Sequence, residues 1–294
     1  MAKIVLRGII MIDKSKAIKL TAEELRKLQL VQIEMLIELD RICRKNNIKY
    51  SLDGGTLLGA VRHNGFIPWD DDIDIIMLRE EYEKFFKICK TELNTDKFFL
   101  QDFRTDKFYC NGFSRIRRLG STFSRLGHEH MKYQQGIFID IFVLDNVPEG
   151  KISREFHKAF CFILRKMLWA KSAKKIHPNI LMRWWYWLLS LIPRDFSFYL
   201  LNKIAKKYNK KETKLVSHYT HPYPSKDRCK YGVPRVFLNE FIELTFEGKK
   251  FMAVKEYDKY LTMLYNDYMT LPPEDKRKGH MPPITAFSVP SEFN

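Results

Sequence analysis

The stretch Trp69-Asp70-Asp71-Asp72-Ile73-Asp74 places four aspartates within five residues, in a chain whose formal net charge is +16. It follows closely on a glycine turn, Asp53-Gly54-Gly55-Thr56. Crowded carboxylates repel one another, so a folded protein tolerates them mainly when a divalent cation or strong hydrogen bonding compensates the charge. The sequence therefore predicts a metal site at this stretch.

Hydrophobic periodicity on either side of the aspartates predicts alternating helices and strands. Thr21-Ala22-Glu23-Glu24 has the form of a capping box and precedes apolar residues at helical spacing, so a helix begins there. The same patterns predict a strand at 48–52, a short helix at 56–63, a strand at 71–77, a helix at 79–93, strands at 113–119 and 136–144, a strand pair within 236–250 and a helix at 255–269.

Asp72 and Asp74 are predicted to project from one face of their strand, because alternate residues of a strand point the same way. Two such carboxylates can ligate one hard cation such as Mg²⁺, which prefers oxygen ligands and is often shared with the phosphates of a substrate. Asp70 is expected to support them, and Asp71 is expected to point away.

The glycine turn offers a site for phosphate. Gly54-Gly55-Thr56 precedes a helix, so its free backbone N–H groups and the positive end of the helix dipole favour a phosphate oxygen. A tight turn without a ligand is the alternative for a lone Gly-Gly-Thr. The nearby aspartates favour the phosphate interpretation.

A third carboxylate, Asp140, lies within the apolar run Ile137–Val143. A carboxylate that is buried alone is costly, so Asp140 needs a partner. Beside Asp72 and Asp74 it would bind the metal or accept a proton from an attacking hydroxyl. The alternative is an edge-strand aspartate that faces water.

Length and composition narrow the class of protein. The 294 residues allow one large domain or one domain with a sizeable insertion. Five scattered cysteines without a C-x-x-C pair indicate reduced thiols. We expect neither a signal peptide nor a membrane-spanning helix, because the longest apolar run, Trp184–Ile192, is far shorter than the roughly 20 residues that a span needs.

The positive charge is concentrated in residues 151–211, where fifteen Lys or Arg face two acids, a net charge of +13. Helical patterns at 156–170 and 181–208 predict an inserted helical hairpin. Its run Arg183-Trp184-Trp185-Tyr186-Trp187-Leu188-Leu189 favours an anionic membrane surface, since Trp and Tyr settle at the headgroup level and Lys and Arg meet anionic lipid. A buried hairpin with a solvated basic rim is the alternative.

Residues 57–74 closely resemble the signature of the LicD family, whose members are similar to fukutin-related proteins and share the nucleotidyltransferase fold. Residues 136–145 resemble a second block of that family, and residues 260–277 a C-terminal one. The resemblance implies an α+β fold in which helices flank a nucleotidyltransferase-like mixed β-sheet core. The domains expected are an N-terminal extension (1–20), a catalytic core (21–148), the basic helical segment (149–211) and a C-terminal α/β part (212–294).

The family resemblance also implies an activity. It is the transfer of phosphocholine from CDP-choline to a hydroxyl of a cell-surface glycan or teichoic acid precursor, expected to be lipid-linked, with release of CMP. Asp72, Asp74 and Asp140 are the expected catalytic residues. With Asp70 they would bind Mg²⁺, or Mn²⁺ as an alternative. The protein is then expected in the cytoplasm, peripheral at the inner face of the cell membrane.

Further residues are candidates for substrate binding. Arg115 and Arg117 alternate onto one strand face and would reach phosphate oxygens, unless that face is solvated. Arg62 and His63 would contact phosphate or act as charges at a helix C-terminus. The quaternary ammonium of choline needs aromatic faces, for which the candidates are Trp69, Tyr109 and Tyr133.

Other functions share parts of this pattern. The donor could be another CDP-activated alcohol such as CDP-ribitol. A nucleic-acid nucleotidyltransferase would share the fold, the metal site and the positive charge, although no nucleic acid partner is expected. A non-catalytic glycan-binding scaffold is the third alternative, and the presence of all three carboxylates argues against it.

Overall fold

A computed structural model of the chain describes residues 14–219, 228–279 and 282–293, so most of the expected N-terminal extension lies outside it. The helices are α1 (Ala22–Lys45), α2 (Gly54–His63), α3 (Arg79–Glu92), α4 (Lys151–Ile176), α5 (Ile180–Leu189), α6 (Arg194–Ala205) and α7 (Tyr257–Tyr265). The strands are β1 (Ser51–Leu52), β2 (Asp74–Leu78), β3 (Phe98–Gln101), β4 (Ser114–Arg118), β5 (Thr122–Arg125), β6 (Phe138–Asn146), β7 (Leu215–Ser217), β8 (Val233–Pro234), β9 (Phe241–Phe246), β10 (Lys249–Val254) and β11 (Ile284–Ser288).

A mixed sheet in the order β1-β2-β6-β4-β3 forms the core, with β7 and β8 added at the end of β6. Strands β2 and β6 run parallel, and the other neighbouring pairs are antiparallel. Helices α1 and α3 contact each other and the sheet, and their apolar residues join one large core with it. Two separate antiparallel pairs, β9 with β10 and β5 with β11, complete the structure. The predicted α+β class is confirmed.

Helix α1 begins where its capping box predicts. Thr21 N donates to Glu24 Oε2 at 2.8 Å, and Glu24 N donates to Thr21 Oγ1 at 3.2 Å. Two buried glutamines of α1 then bind the backbone of the aspartate stretch. Gln29 donates to the carbonyl of Asp70 at 3.0 Å, and Gln32 donates to the carbonyl of Asp71 at 3.1 Å.

The strand predicted at 71–77 is wrong at its start, because β2 begins only at Asp74. The carbonyls of residues 70 and 71 accept hydrogen bonds from the α1 glutamines instead of from a neighbouring strand. Asp74 N donates to Thr56 Oγ1 at 2.9 Å. The side chains of Asp70 and Asp72 are therefore placed by a loop, and strand alternation does not set their direction.

The helix predicted at 181–208 is also wrong, since it is two helices, α5 and α6. Pro193 lies between them and serves as the N-cap of α6. Proline lacks an N–H and disfavours helical backbone in the residue before it, so a continuous helix breaks there. Helices α4 to α6 lie between β6 and β7, which pair directly with each other. The helical segment is thus an insertion at one end of the sheet.

Two composition-based predictions can be compared with the described residues. All five cysteines are buried free thiols, as expected. Within the described ranges, no helix combines the length and apolar character needed to cross a membrane.

Gly59 in the middle of α2 provides a test of the packing between α2 and the loop that follows it. A Cβ atom at Gly59 would lie 2.4 Å from the carbonyl oxygen of Gly65. Helix propensity alone would make Gly59→Ala stabilising by about 1 kcal/mol. We instead expect the clash to lower the free energy of unfolding by about 1–3 kcal/mol, measured by urea denaturation.

The exposed substitution Lys87→Ala on α3 is the control, and it should change the free energy of unfolding by less than about 0.5 kcal/mol. A Gly59→Ala protein that is as stable as the wild type would show that α2 and the loop after it are not in this contact.

Candidate active site

Three adjacent strands bring Asp74, Asp140 and Arg115 side by side. Asp74 on β2 is the register partner of Asp140 on β6, and Asp140 is in turn the partner of Arg115 on β4. Directly opposite residues of paired strands project to the same face of a sheet. Because β6 is a central strand, the alternative of an edge-strand aspartate at Asp140 is wrong.

The carboxylate of Asp140 forms a buried two-point ion pair. Arg115 Nε donates to Asp140 Oδ1 at 2.5 Å, and Arg115 Nη2 donates to Asp140 Oδ2 at 3.2 Å. Burial opposes the charge on Arg115, but the Asp140 carboxylate more than offsets it and raises the pKa of Arg115. The pair fixes the Asp140 side chain and still leaves lone pairs on both of its oxygens.

The aspartate loop gathers its carboxylates into a tight group. One ligating oxygen from each of Asp70, Asp71 and Asp72 lies within 4.8 Å of the other two. Asp70 and Asp72 are buried, with 6% and 8% of their surface exposed. The expectation that Asp71 points away is wrong, because an oxygen of its carboxylate belongs to this group. Among the described residues, this trio is more compact than Asp72, Asp74 and Asp140.

Asp74 experiences the combined charge of the surrounding carboxylates. Burial, followed by the charges of Asp72, Asp140, Asp53 and Asp70, raises the pKa of Asp74 well above its ordinary value. A like-charged neighbourhood of this kind disfavours ionisation, and a bound cation would reverse that effect. All the donors at the site are oxygens, which is the set that Mg²⁺ and Mn²⁺ accept.

The glycine turn closes onto the same carboxylates. A Cβ atom at Gly55 would lie 2.7 Å from Asp70 Oδ2, and one at Gly54 would lie 3.4 Å from Asp74 Oδ2. Gly54 also has a φ of +53°, a left-handed conformation that favours glycine. Only glycine therefore lets the positive N-terminal end of α2 approach the aspartates this closely. The Thr56 hydroxyl accepts from Asp74 N and positions β2.

Three arginines surround Phe138 beside Asp140. The guanidinium carbons of Arg115, Arg117 and Arg125 lie 3.8, 4.7 and 5.1 Å from the centre of its ring. Arg117 is buried, and burial together with the charge of Arg115 lowers the pKa of Arg117 to about 9. The alternative of a solvated strand face at Arg115 and Arg117 is wrong. We call these three residues the arginine wall.

Arg62 and His63 lie at the opposite end of α2 from the glycine turn. Eight residues of helix separate Arg62 from Gly54, about 12 Å along the axis. Arg62 Nη1 donates to the carbonyl of Tyr268 at 2.6 Å. These contacts agree with the interpretation of the two residues as charges at a helix C-terminus.

The aromatic candidates for choline binding differ in their surroundings. Trp69 is half-buried, and the guanidinium carbon of Arg277 lies 5.9 Å from the centre of its ring. Tyr109 and Tyr133 pack edge-to-face at 6.0 Å, within reach of the charges of Arg115 and Arg117. All three aromatic candidates therefore have an arginine side chain nearby, and these contacts do not select one of them as the choline site.

Sequence reasoning missed two residues of the site, Arg125 and Tyr265. Burial and the charge of Arg115 lower the pKa of Arg125, which also senses Asp140 and Asp72. The Tyr265 hydroxyl lies 3.5 Å from the Cβ position of Gly54, and burial with the charges of Asp53 and Asp74 raises its pKa. Arg125 belongs to strand β5, which was not predicted, whereas Tyr265 lies within residues 260–277, whose resemblance to the family is the signal that could have found it.

Comparisons with known proteins identify the family of the chain. The family model for the LicD/FKTN/FKRP nucleotidyltransferase domain matches residues 47–179. The lipopolysaccharide cholinephosphotransferase LicD of Haemophilus influenzae is 31% identical over 271 residues, which cover 87% of this chain and 95% of that protein. The human ribitol 5-phosphate transferase FKRP is 50% identical over 34 residues, 12% of this chain and 7% of that protein.

An uncharacterized protein of Rickettsia prowazekii is 38% identical over 76 residues, 19% of this chain and 29% of that protein. The decisive match is the one to the Haemophilus protein, because it extends over nearly the whole of both chains. The chain therefore belongs to the LicD family and is a transferase.

Proposed function

We propose that the protein transfers phosphocholine from CDP-choline to a hydroxyl of a cell-surface glycan or teichoic acid precursor and releases CMP. The observation that carries this proposal is the side-by-side placement of Asp74, Asp140 and Arg115 next to the glycine turn. Carboxylates for a cation and arginines for phosphate are what a diphosphate substrate requires. The similarity to a cholinephosphotransferase supports choline as the alcohol.

The donor set fits a hard divalent cation. Asp72 and Asp74, supported by Asp70, would hold Mg²⁺, with Mn²⁺ as the alternative. When bound, the ion would neutralise charge on the diphosphate and on the departing CMP. The mixed sheet, with Asp74 and Asp140 on its adjacent strands β2 and β6, supports a nucleotidyltransferase-like core.

The residues of the protein supply the rest of the chemistry. The arginine wall and the backbone N–H groups of the glycine turn bind the diphosphate oxygens and hold the donor in place. The acceptor oxygen forms a bond to the phosphorus of the phosphocholine group, and the bond from that phosphorus to the CMP oxygen breaks. Asp140, held by Arg115, takes the proton of the acceptor hydroxyl.

CDP-ribitol is the second candidate donor, because the short match to the ribitol 5-phosphate transferase covers part of this chain. A nucleic-acid nucleotidyltransferase is less well supported. The arginines that define the site are buried against Phe138 instead of forming an open basic surface along the sheet.

A panel of CDP-alcohols tests the reaction. The protein, an acceptor preparation and Mg²⁺ should release CMP from CDP-choline faster than from CDP-ribitol, and EDTA should abolish the release. CMP is measured by chromatography. Radiolabel from CTP that appears in RNA, with no CMP released from any CDP-alcohol, would refute the proposed reaction.

Asp74→Asn tests the metal site. A carboxyl whose pKa is raised on folding destabilises the folded state increasingly as the pH rises above its unfolded pKa. The neutral amide of Asp74→Asn should therefore raise the metal-free Tm by about 2 °C or more at neutral pH. The same change should remove the increase in Tm on adding Mg²⁺ and lower kcat at least about 100-fold.

The control for this variant is Asp96→Asn at an exposed aspartate outside the site, which should retain both the Mg²⁺ response and the activity. An Asp74→Asn protein that still responds to Mg²⁺ and turns over normally would exclude Asp74 as a ligand.

A further inference from the structure

The inserted helices carry most of the exposed apolar side chains of the described structure. Of 22 large hydrophobic residues that are exposed there, 15 lie between Ile152 and Tyr199. Soluble monomers rarely expose an apolar patch of this extent unless it binds a protein or a membrane. The insertion therefore presents a surface that needs a partner.

Helix α5 is the centre of this surface. Tyr186 is its only buried residue, and it packs against Trp169, Ala170 and Ala173 of α4. The exposed residues of α5 are apolar almost all round: Ile180, Leu181, Met182, Trp184, Trp185, Trp187 and Leu188. A helix with this composition is normally buried. The alternative of a buried hairpin with a solvated basic rim is wrong for α5.

Helix α4 continues the same surface. Ile152, Phe156, Phe160 and Ile163 are each at least 50% exposed, and their spacing of four, four and three residues places them on one helix face. Ala170 follows Ile163 by seven residues, so it shares that face and lies under α5. The apolar stripe of α4 thus continues to the C-terminal part of this helix, which α5 covers.

An apolar groove of about 970 Å³ lies at the N-terminal end of the α4 stripe. It is lined by Ile152, Phe156 and Phe160 of α4 and by Ile204 of α6, and Lys151 and Lys207 also line it. A groove that combines apolar walls with lysines suits an acyl chain that carries an anionic headgroup.

The charges on the insertion identify the kind of partner. Residues 151–211 carry a net charge of +13. Lys166 lies 5.3 Å from the ring centre of Phe162 and 5.1 Å from that of Trp169, so cations and aromatic rings are interleaved. Interfaces between proteins are depleted in lysine, whereas exposed Trp with Lys and Arg is typical of helices that lie at an anionic lipid interface.

We propose that α5 and the apolar stripe of α4 bind the surface of an anionic lipid bilayer. The tryptophans enter the headgroup region, and the surrounding lysines and arginines contact lipid phosphates. No helix needs to cross the bilayer for this mode of binding.

Helix α4 links the lipid-binding surface to the active site, because its buried Ser172 lies on the helix face opposite the apolar stripe. Ser172 of α4 contacts the sulfur of Met131, which packs with Tyr109 and Tyr133 beside the arginine wall. Lipid binding would thus bring the site close to the headgroups, where a lipid-linked acceptor would lie. That consequence rests on the proposed function, whereas the binding of lipid does not.

Co-sedimentation of the full chain with vesicles tests the proposal. The protein should sediment with vesicles of equal parts phosphatidylcholine and phosphatidylglycerol, and less with phosphatidylcholine alone. Raising the ionic strength from about 0.1 M to about 1 M shortens the Debye length from about 10 Å to about 3 Å, so it should weaken the binding. Equal binding to both kinds of vesicle at both salt concentrations would overturn the charge argument.

A double variant, Leu181→Glu with Leu188→Glu, tests the apolar surface. Its affinity for the anionic vesicles should fall about tenfold or more. Leu30→Glu is the matched control, because Leu30 is an exposed leucine on a helix outside the insertion, and it should bind as the wild type does. Thermal unfolding checks that each variant is folded, and Trp185→Ala, which should bind several-fold more weakly, provides a second substitution on α5.

Two results would overturn the proposal. One is unchanged sedimentation of both α5 variants. The other is a lipid-free dimer, seen by light scattering, that the double variant abolishes, since the surface would then be covered by a second copy. Release of CMP with a water-soluble acceptor analogue is measured separately, so failure to bind lipid and failure of the transfer reaction can be told apart.

Discussion

The parallel pairing of β2 with β6 is the constraint on which the site depends. Its register sets Asp74 opposite Asp140, and the antiparallel pairing of β4 sets Arg115 on the other side of Asp140. A slip of one residue in either pair would send these side chains to opposite faces of the sheet. The apolar residues of β6 pack in the core, and Gln32 of α1 donates to the carbonyls of both Phe138 on β6 and Asp71 before β2. The core of the protein therefore also determines the geometry of its site.

The site has two halves of opposite charge in a small volume, one made of carboxylates and one of arginines. Carboxylates from the aspartate loop, β2 and β6 lie close together, and burial with their charges raises the pKa of Asp74. The arginine wall concentrates positive charge on the neighbouring strands, and burial lowers the pKa of Arg117 to about 9. Each half is costly to bury. We propose that a bound cation with a diphosphate complements both halves, which would account for a stable fold that retains them.

Short-range sequence patterns predicted much of this arrangement. They failed where contacts between residues distant in sequence determine the position of a side chain. The capping box at Thr21, the carboxylates on β2 and β6, and the pair Arg115 and Arg117 follow from short-range spacing. The directions of Asp70 and Asp71 depend on glutamines about forty residues earlier, so strand alternation could not give them. Arg125 and Tyr265 reach the site from β5 and α7, through pairing and packing that no local pattern encodes.

Two arginines of β4 allow the most direct test of the central claim. Arg115 and Arg118 are both buried and both ion-paired, but they point to opposite faces of the strand. We expect Arg115→Lys, which loses the two-point contact with Asp140, to lower kcat/KM for CDP-choline by about 10- to 100-fold, while Arg118→Lys leaves it unchanged. Equal losses in the two variants, or no loss in Arg115→Lys, would contradict the role proposed for the Arg115–Asp140 pair.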